Sequence, residues 1–266
     1  MRDRLRAAVS VVRPVVDLIQ DRNLTYLAAG IAYYAFVSII PLMLLAVAIA
    51  SFVGGEAMAD RVANTLSQQL SPSGQNLIRE ALANTAGRGV ASVIGFLTLT
   101  WSSLRLFRGI DQAFDEVYLD TVETSLLEQI RNALIVVIGI GLAIALVVAS
   151  GIALSVLPVE VPFVDLFGTL VLLVVLVAAF LPIYYVLPPI EMTLRGAVPG
   201  AAFAAVGWVV LQIGFRIYAT HAGQYAAYGV IGAALLFVTW LYFASIVVLV
   251  GAAINAVVRE TGLNVS

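Results

Sequence analysis

Polar side chains whose types and spacing could hold a ligand occur inside two long apolar segments of the sequence. In the first segment, Tyr33, Tyr34 and Ser38 precede Pro41. A proline inside a helix removes one backbone hydrogen bond and bends the helix; here it frees a carbonyl near Val37, which Ser38 could satisfy. Two interpretations stay open: these side chains line a polar cavity beside the bend, or they belong to a packed kink.

The second segment contains an arginine inside an otherwise apolar run. Arg216 has Gln212 one helical turn before it, and His221 and Tyr225 follow shortly after. An arginine in the middle of a membrane helix costs about 2.5–3.5 kcal/mol on insertion scales, so its side chain must face polar surroundings or reach the membrane surface. The arginine therefore either extends to the outer surface or has an anion-binding or coupling role, with His221 and Tyr225 nearby.

The residue types needed for most enzyme mechanisms are missing. The chain has no cysteine and one histidine, His221, so thiolate and histidine metal sites are excluded. We find no sequence signature of a hydrolase, a zinc protease or a nucleotide-binding loop. Asp111 and Asp115 lie one turn apart and could hold a cation, but a solvated charged face explains them better. We predict no catalytic site, no metal and no cofactor, and the net charge of −2 predicts no nucleic-acid partner.

The elements that must position these residues are membrane-spanning helices. Hydrophobic residues make up 62% of the chain, charged residues 11%, and the mean hydropathy is +1.03. A helix of about 20 apolar residues crosses the hydrocarbon core. A single segment within this core must be helical, because its backbone groups can form hydrogen bonds only with each other. The fold class predicted is an all-α polytopic membrane protein with six transmembrane helices in one domain, residues 1–266. The apolar runs are Leu24–Val53, Val90–Leu104, Asn132–Leu157, Phe163–Leu187, Gly196–Ala219 and Ala226–Val258.

The arginines predict the orientation, because cytoplasmic loops collect positive charge. With six spans, most of the arginines, including Arg105 and Arg195, lie on the cytoplasmic side, together with both termini. The short run Val90–Leu104 could instead be re-entrant, but most of this charge bias would then disappear. Trp101, Arg105 and Arg195 are accordingly predicted to mark the inner membrane boundary. The predicted localisation is the plasma membrane.

Three segments are predicted to lie outside the hydrocarbon core. Residues 1–23 carry an apolar stripe opposite several arginines, which predicts a helix lying on the anionic inner leaflet. Residues 54–89 predict two short amphipathic helices on the outer face. Residues 105–131 predict a cytoplasmic helical loop with a stripe that packs against the bundle, formed by Phe107, Ile110, Phe114, Val117 and Tyr118.

Several motifs, in this order, make the chain resemble the YihY/virulence factor BrkB family of inner-membrane proteins, once labelled ribonuclease BN. The motifs are Ala32-Tyr33-Tyr34 with Ser38 and Pro41, Trp101-Ser102-Ser103-Leu104-Arg105 with Phe107, Arg195-Gly196-Ala197 with Trp208, Tyr228-Gly229, Trp240-Leu241-Tyr242, and Gly251-Ala252 with Asn255. The resemblance implies a six-helix membrane bundle and adds Tyr228, Asn255 and the boundary residue Trp240 to the candidate residues. It implies no settled reaction, and Ala253 replaces an acidic residue that the family often carries.

The function predicted from these features is transport, or lipid flipping, of an amphipathic or anionic compound. The candidate path comprises Tyr33, Tyr34, Ser38, Pro41, Gln212, Arg216, Tyr228 and Asn255. The alternative is a non-enzymatic scaffold of an envelope complex. The expected partners are the lipid bilayer, a small anionic or lipid substrate, and either a second copy of the chain or an envelope-complex protein.

Overall fold

Each secondary-structure element in the described part of the chain is an α-helix. The computed structural model describes residues 2–67, 105–119, 127–128, 130–136, 138–139, 164–221 and 229–262. Within these ranges there is no β-strand, which confirms the all-α class. The helices are α1 (Arg2–Asp21), α2 (Leu24–Ser67), α3 (105–118), α4 (Val164–Val186), α5 (Leu194–His221) and α6 (Gly229–Glu260). Residues 130–136 are helical as well.

Two of the described helices are long and apolar enough to cross a membrane. They contain the segments Leu194–Ile217 and Ala234–Glu260, and a third candidate is the bent pair Leu24–Ile39 and Pro41–Ser51. The segment Leu172–Val186 within α4 is apolar but shorter. These helices fall on four of the six predicted runs. The run Val90–Leu104 and most of Asn132–Leu157 lie outside the described residues, so the count of six stays a prediction.

Helix α2 is bent at Pro41, where the sequence predicts a bend, and its helical backbone is interrupted a second time at Gly55. The segments Leu24–Ile39 and Pro41–Ser51 are bent by 47° relative to each other. Gly55 then has φ 69° and ψ −166°, a backbone conformation open to glycine and strained for any other residue. Helical backbone resumes after Gly55 and ends at Ser67, so a separate helical segment forms the first part of the predicted outer segment 54–89. Residues 68–89 of that segment lie outside the described part of the chain.

The chain divides into two compact units, Met1–Ala32 with Gly109–Ser266, and Tyr33–Arg108. In the first unit, α5 packs between α4 and α6, and α1 packs on α6. Pro188 and Pro189 follow α4, and α5 begins where the Thr193 hydroxyl accepts a hydrogen bond of 3.1 Å from the amide of Gly196. Thr193 is therefore the N-cap of α5.

The core between α5 and α6 is built from small residues. Alanines on both helices are fully buried: Ala197, Ala201, Ala204, Ala205, Ala252 and Ala253. Glycines occupy the closest approaches, where Gly200 faces Gly251 and Gly207 faces Val247. Gly214, which lies further along α5, has open space around it. The packing face of α5 therefore ends before Gly214.

Candidate functional site

Helices α5 and α6 touch backbone to backbone at one pair of glycines. A Cβ atom added to Gly200 would overlap the carbonyl oxygen of Gly251. A Cβ atom added to Gly251 would overlap the hydroxyl of Tyr184 and lie 2.9 Å from the carbonyl oxygen of Gly200. Small residues allow this close approach of membrane helices, and here no larger side chain fits without a shift of the backbone.

Asn255 of α6 forms two hydrogen bonds with the backbone of α5 at the same contact between the two helices. Its Oδ1 accepts from the amide of Gly200 at 2.6 Å, and its Nδ2 donates to the carbonyl of Ala197 at 3.3 Å. The two backbone groups flank Pro199, which has no amide hydrogen and weakens the hydrogen-bond ladder of α5 at this point. The side chain is buried, so its amide joins α5 to α6. The sequence had placed Asn255 on the candidate path, and no exposed polar surface of this residue is available for that role in this structure.

Tyr184 of α4 completes the junction. It is fully buried and donates a hydrogen bond of 2.9 Å to the carbonyl of Val248 on α6. Its ring lies 6.1 Å from the ring of Phe114 on α3. Phe114 and Val117 are themselves buried. The prediction that the α3 stripe packs against the bundle is confirmed at these two residues.

Next to this junction lies a tyrosine hydroxyl without a partner. The hydroxyl of Tyr118 on α3 is buried, and no hydrogen-bond partner for it exists in the described part of the chain. Burial raises the pKa of Tyr118, and the nearby guanidinium of Arg259 opposes that rise only in part. The Asn255 side chain is close enough to influence the same pKa, although its geometry falls short of a hydrogen bond with the hydroxyl. We call Tyr118, Tyr184 and Asn255 the polar cluster.

Helix α3 also carries charged groups, of which Glu116 and Asp111 have defined interactions. Glu116 accepts a hydrogen bond of 3.2 Å from Arg22, and both side chains are partly exposed, so this ion pair contributes little stability. It does show that the residues just before α2 and the end of α3 lie at the same end of the first unit. Burial, and then the charge of Asp115, raise the pKa of Asp111 to about 6.

The predicted path residues of α2 differ in exposure. The rings of Tyr33 and Tyr34 meet edge to face at 5.6 Å, and both side chains are exposed. Ser38 is buried and already has an interaction partner, and Pro41 lies at the bend. Tyr33 and Tyr34 therefore form an exposed polar face of α2, and the buried Ser38 is not part of it.

The predicted path residues of α5 lie at one end of that helix. Gln212 and Arg216 are exposed. Arg195, which is also exposed, lies 21 positions before Arg216, which is about 32 Å at the rise of an α-helix. This distance is close to the thickness of the hydrocarbon core, about 30 Å, so the two arginines bracket the span. Arg216 therefore fits a membrane boundary better than the membrane centre.

The remaining predicted residues are scattered over the molecule. Arg105 is exposed at the start of α3. Trp240 packs against Trp208, with ring centroids 5.2 Å apart, and against Phe215. Trp208 lies about 20 Å along α5 from Arg195, so Trp240 and Arg195 occupy different levels, which departs from their predicted common boundary. Trp101 and Tyr228 lie outside the described residues. Tyr33 and Tyr34 belong to the second unit, while Gln212, Arg216 and Asn255 belong to the first.

The polar cluster was only partly visible in the sequence. Asn255 and Gly251 were noticed within one motif, and Tyr118 within the α3 stripe, but nothing pointed to Tyr184 as their neighbour. A tyrosine inside an apolar helix, two residues after Pro182, was the available signal. Among the described residues, no group of three or more His, Cys, Asp or Glu side chains could hold a metal ion.

Comparison with known proteins agrees with the helical architecture and the small-residue motifs. The model of the virulence factor BrkB family matches residues 15–264. The chain belongs to this family. No solved structure matches it. Family membership makes the chain a membrane protein, in agreement with the apolar helices of the structure.

Relatives in the family carry two kinds of name. A protein of Bacillus subtilis (strain 168), whose name describes it as ribonuclease-like protein YfkH, is 26% identical over 255 residues, covering 88% of this chain and 89% of the relative. The UPF0761 membrane protein PSHAa0171 of Pseudoalteromonas translucida (strain TAC 125) is 26% identical over 253 residues, covering 91% and 84%. A UPF0761 membrane protein of Halorhodospira halophila is 26% identical over 285 residues, and the match covers 97% of this chain and 63% of that longer protein.

Proposed function

We propose that this protein moves an amphipathic anionic compound, such as an anionic lipid, across the membrane along the face of α2 that carries Tyr33 and Tyr34. The observation that carries the proposal is the depth of these tyrosines. Tyr33 lies nine residues after Leu24, about 14 Å along α2, and the hydrocarbon core is about 30 Å thick. Its side chain is 60% exposed.

A hydroxyl at this depth favours a polar path over a lipid contact. Leaving a hydroxyl group without a hydrogen bond in an apolar environment costs roughly 2–7 kcal/mol, depending on the reference state. Polar groups inside a membrane segment therefore face other polar groups or water. An exposed face with two adjacent tyrosines at mid-depth is consistent with a route for the polar part of an amphipathic substrate.

The bend in α2 supports movement along this route. Proline-broken helices next to a polar site are a common element of transporters. The 47° bend at Pro41 follows the tyrosine face by two turns. Arg105, which belongs to the same unit as the two tyrosines, would attract an anionic headgroup at the predicted inner boundary.

The test is a lipid translocation assay in reconstituted vesicles. Fluorescent phosphatidylglycerol is incorporated into vesicles with and without the protein, and dithionite bleaches the label in the outer leaflet. We expect the protein to increase the bleached fraction beyond that of protein-free vesicles. Tyr33→Phe should slow this movement severalfold, and Arg105→Gln should slow labelled phosphatidylglycerol more than labelled phosphatidylcholine.

Tyr26→Phe is the matched control, because Tyr26 is also an exposed tyrosine of α2 (77%) but lies at the start of the helix. It should behave as wild type. If the wild-type protein moves neither labelled lipid nor a soluble anionic amphiphile, or if Tyr33→Phe and Tyr26→Phe are indistinguishable from wild type, the proposed path is wrong.

We further propose that the protein lies in the plasma membrane with both ends in the cytoplasm. The Arg22–Glu116 pair supports this, because six spans require the start of α2 and the end of α3 to share one side. Single cysteines can test it without background, since the chain has none. Glu260→Cys should be protected from an impermeant thiol reagent in intact cells, and Met58→Cys should react.

The second candidate function is a scaffold, and the helical segment that follows Gly55 favours it. This segment lies beyond the apolar run, ends at Ser67 and carries a shallow groove of about 500 Å³. The groove is lined by Gly54, Ala57, Met58, Arg61, Val62 and Thr65. A stable partner recovered in mild detergent and lost when residues 54–67 are replaced by a neutral linker, together with a negative translocation assay, would favour this function over transport.

Neither candidate function involves a reaction, and we propose that the chain is not a ribonuclease in spite of the name of one relative. Purified protein should leave single-stranded RNA intact in the presence of magnesium, manganese or zinc. Cleavage that copurifies with the protein and is lost on substitution of Asp111 and Asp115 would contradict this.

A further inference from the structure

Helix α1 contacts α6 through one face, and a second apolar strip of the same helix is exposed. Val15 is 6% exposed, and α1 contacts α6. Val12 and Val16, one turn apart, are 60% and 43% exposed. We propose that the Val12–Val16 face of α1 docks onto the surface of a membrane that contains anionic phospholipid.

The side chains divide α1 into three faces at 100° per residue. Val15 and the partly buried Leu18 form the face that packs on the protein. Val12 and Val16 form an apolar strip beside it. Arg13 and Asp17 form an exposed polar face on the far side of the strip. The strip borders the polar face, which is the arrangement of a helix that lies in the membrane interface.

A short connection keeps α1 close to the membrane. The helix ends at Asp21 and α2 begins at Leu24. Asn23 makes the turn with φ 50°, and its carbonyl accepts a hydrogen bond of 2.9 Å from the amide of Tyr26. Because α2 starts the first apolar run only two residues after α1, the strip remains within reach of the lipid headgroups.

The charge of this segment selects an anionic surface. The part of the chain from Arg2 to Arg22 contains the arginines Arg2, Arg4, Arg6, Arg13 and Arg22 and the acids Asp3, Asp17 and Asp21. Each basic residue close to an anionic membrane contributes about a fivefold gain in binding. Arg13 is exposed next to the apolar strip, so its guanidinium can reach lipid phosphate while Val12 and Val16 enter the acyl boundary.

This inference does not depend on transport. A protein that moves nothing would still have this lipid-facing helix, and a transporter without it would still have the tyrosine face of α2. A second copy of the chain or another protein on the strip would be a different occupant, and the experiment separates these outcomes.

The test uses the cysteine-free chain, in which single cysteines can be labelled selectively. Val12→Cys and Val16→Cys report on the strip, and Asp17→Cys on the polar face is the matched control. Each full-length variant carries an environment-sensitive fluorophore and is reconstituted into phosphatidylcholine vesicles with and without phosphatidylglycerol. We expect a blue-shifted emission and at least twofold stronger quenching by spin-labelled lipid at positions 12 and 16 than at position 17. The difference should increase with phosphatidylglycerol.

Two further measurements decide the role of charge. Arg13→Gln should lower the docking equilibrium about fivefold in phosphatidylglycerol vesicles and hardly change it in phosphatidylcholine. A salt concentration of about 1 M, where the Debye length is about 3 Å, should remove the same advantage. Equal quenching at positions 12, 16 and 17, or no dependence on phosphatidylglycerol, would overturn the proposal. Protection of position 12 in detergent without lipid, with disulfide-linked dimers of Val12→Cys, would assign the strip to a second copy.

Discussion

The prolines of helix α2 and those of helices α4 and α5 have different surroundings. Pro41 bends α2 by 47°, and the helix is interrupted again at Gly55. In the other region, Pro182 of α4 packs against Gly139, where an added Cβ atom would meet the proline ring. Pro199 of α5 is flanked by the two backbone groups that bind Asn255.

The difference shows that a proline alone does not decide the shape of a helix. In α5, the amide of Asn255 on the next helix binds the backbone groups on either side of Pro199, and the nearby glycines allow α5 and α6 to pack closely. At Pro41 the helix bends instead, next to a face with exposed tyrosines. The contacts around the proline therefore differ between the two helices.

The largest effect on stability is expected where Gly200 of α5 meets Gly251 of α6. Gly251→Ala should destabilise the protein by about 2 kcal/mol, because its methyl group meets the hydroxyl of Tyr184 and the backbone of α5. The matched variant is Gly30→Ala in α2, where the new methyl group meets nothing within 4 Å and helix propensity rises. Unfolding in mixed detergent micelles measures both. Equal loss of stability in the two variants would remove the distinction between the regions.

A smaller effect is expected at the amide that joins α5 to α6. Asn255→Ala removes both hydrogen bonds to α5 and should lower the free energy of unfolding by about 1.5 kcal/mol. Ser245→Ala is the control, because the buried Ser245 hydroxyl donates to the carbonyl of Leu241 in its own helix. Its loss should stay below about 0.5 kcal/mol. If Ser245→Ala lowers the free energy of unfolding as much as Asn255→Ala does, the hydrogen bonds between α5 and α6 are not what stabilises this contact.

The smallest effect on stability is expected at Asp111 of α3, the helix that packs against α4 through Phe114 and Tyr184. The pKa of Asp111 is raised from its ordinary 3.8 to about 6, so the folded protein holds this proton more tightly than the unfolded chain. The resulting loss of stability is absent below about pH 3.8, develops as the pH rises toward about 6, and is constant above that. Asp111→Asn should therefore stabilise the protein more at about pH 7 than at about pH 4. Thermal unfolding at the two pH values measures this, and an equal difference at both would show that the carboxyl titrates normally.

Local pattern was enough to predict much of the fold. The apolar runs predicted α2, α4, α5 and α6, and Pro41 predicted the bend. The spacing of Phe114 and Val117 predicted that α3 packs on the bundle. These features depend on one segment at a time, because a helix in hydrocarbon satisfies its own backbone and its prolines and small residues act on their own turn.

The site residues were harder to predict, because each depends on a neighbouring helix. Ser38 and Tyr33 are five residues apart in one motif, yet one is buried and the other exposed. Trp240 shares a motif with boundary residues but packs at the level of Trp208. Asn255 is polar, like the predicted path residues, and binds the backbone of Gly200 instead. The register between helices sets these outcomes, and periodicity within one helix carries no information about register.

The amino-acid sequence by itself determined that this is a helical membrane protein of the virulence factor BrkB family, since hydrophobic length and motif order are properties of the chain alone. Tertiary structure decided that Gly200 meets Gly251, that Tyr184 reaches Val248, and that the hydroxyl of Tyr118 lies buried beside them. The physical reason is that hydrophobic burial is not directional, whereas close packing and hydrogen bonds between helices require particular atoms at particular distances.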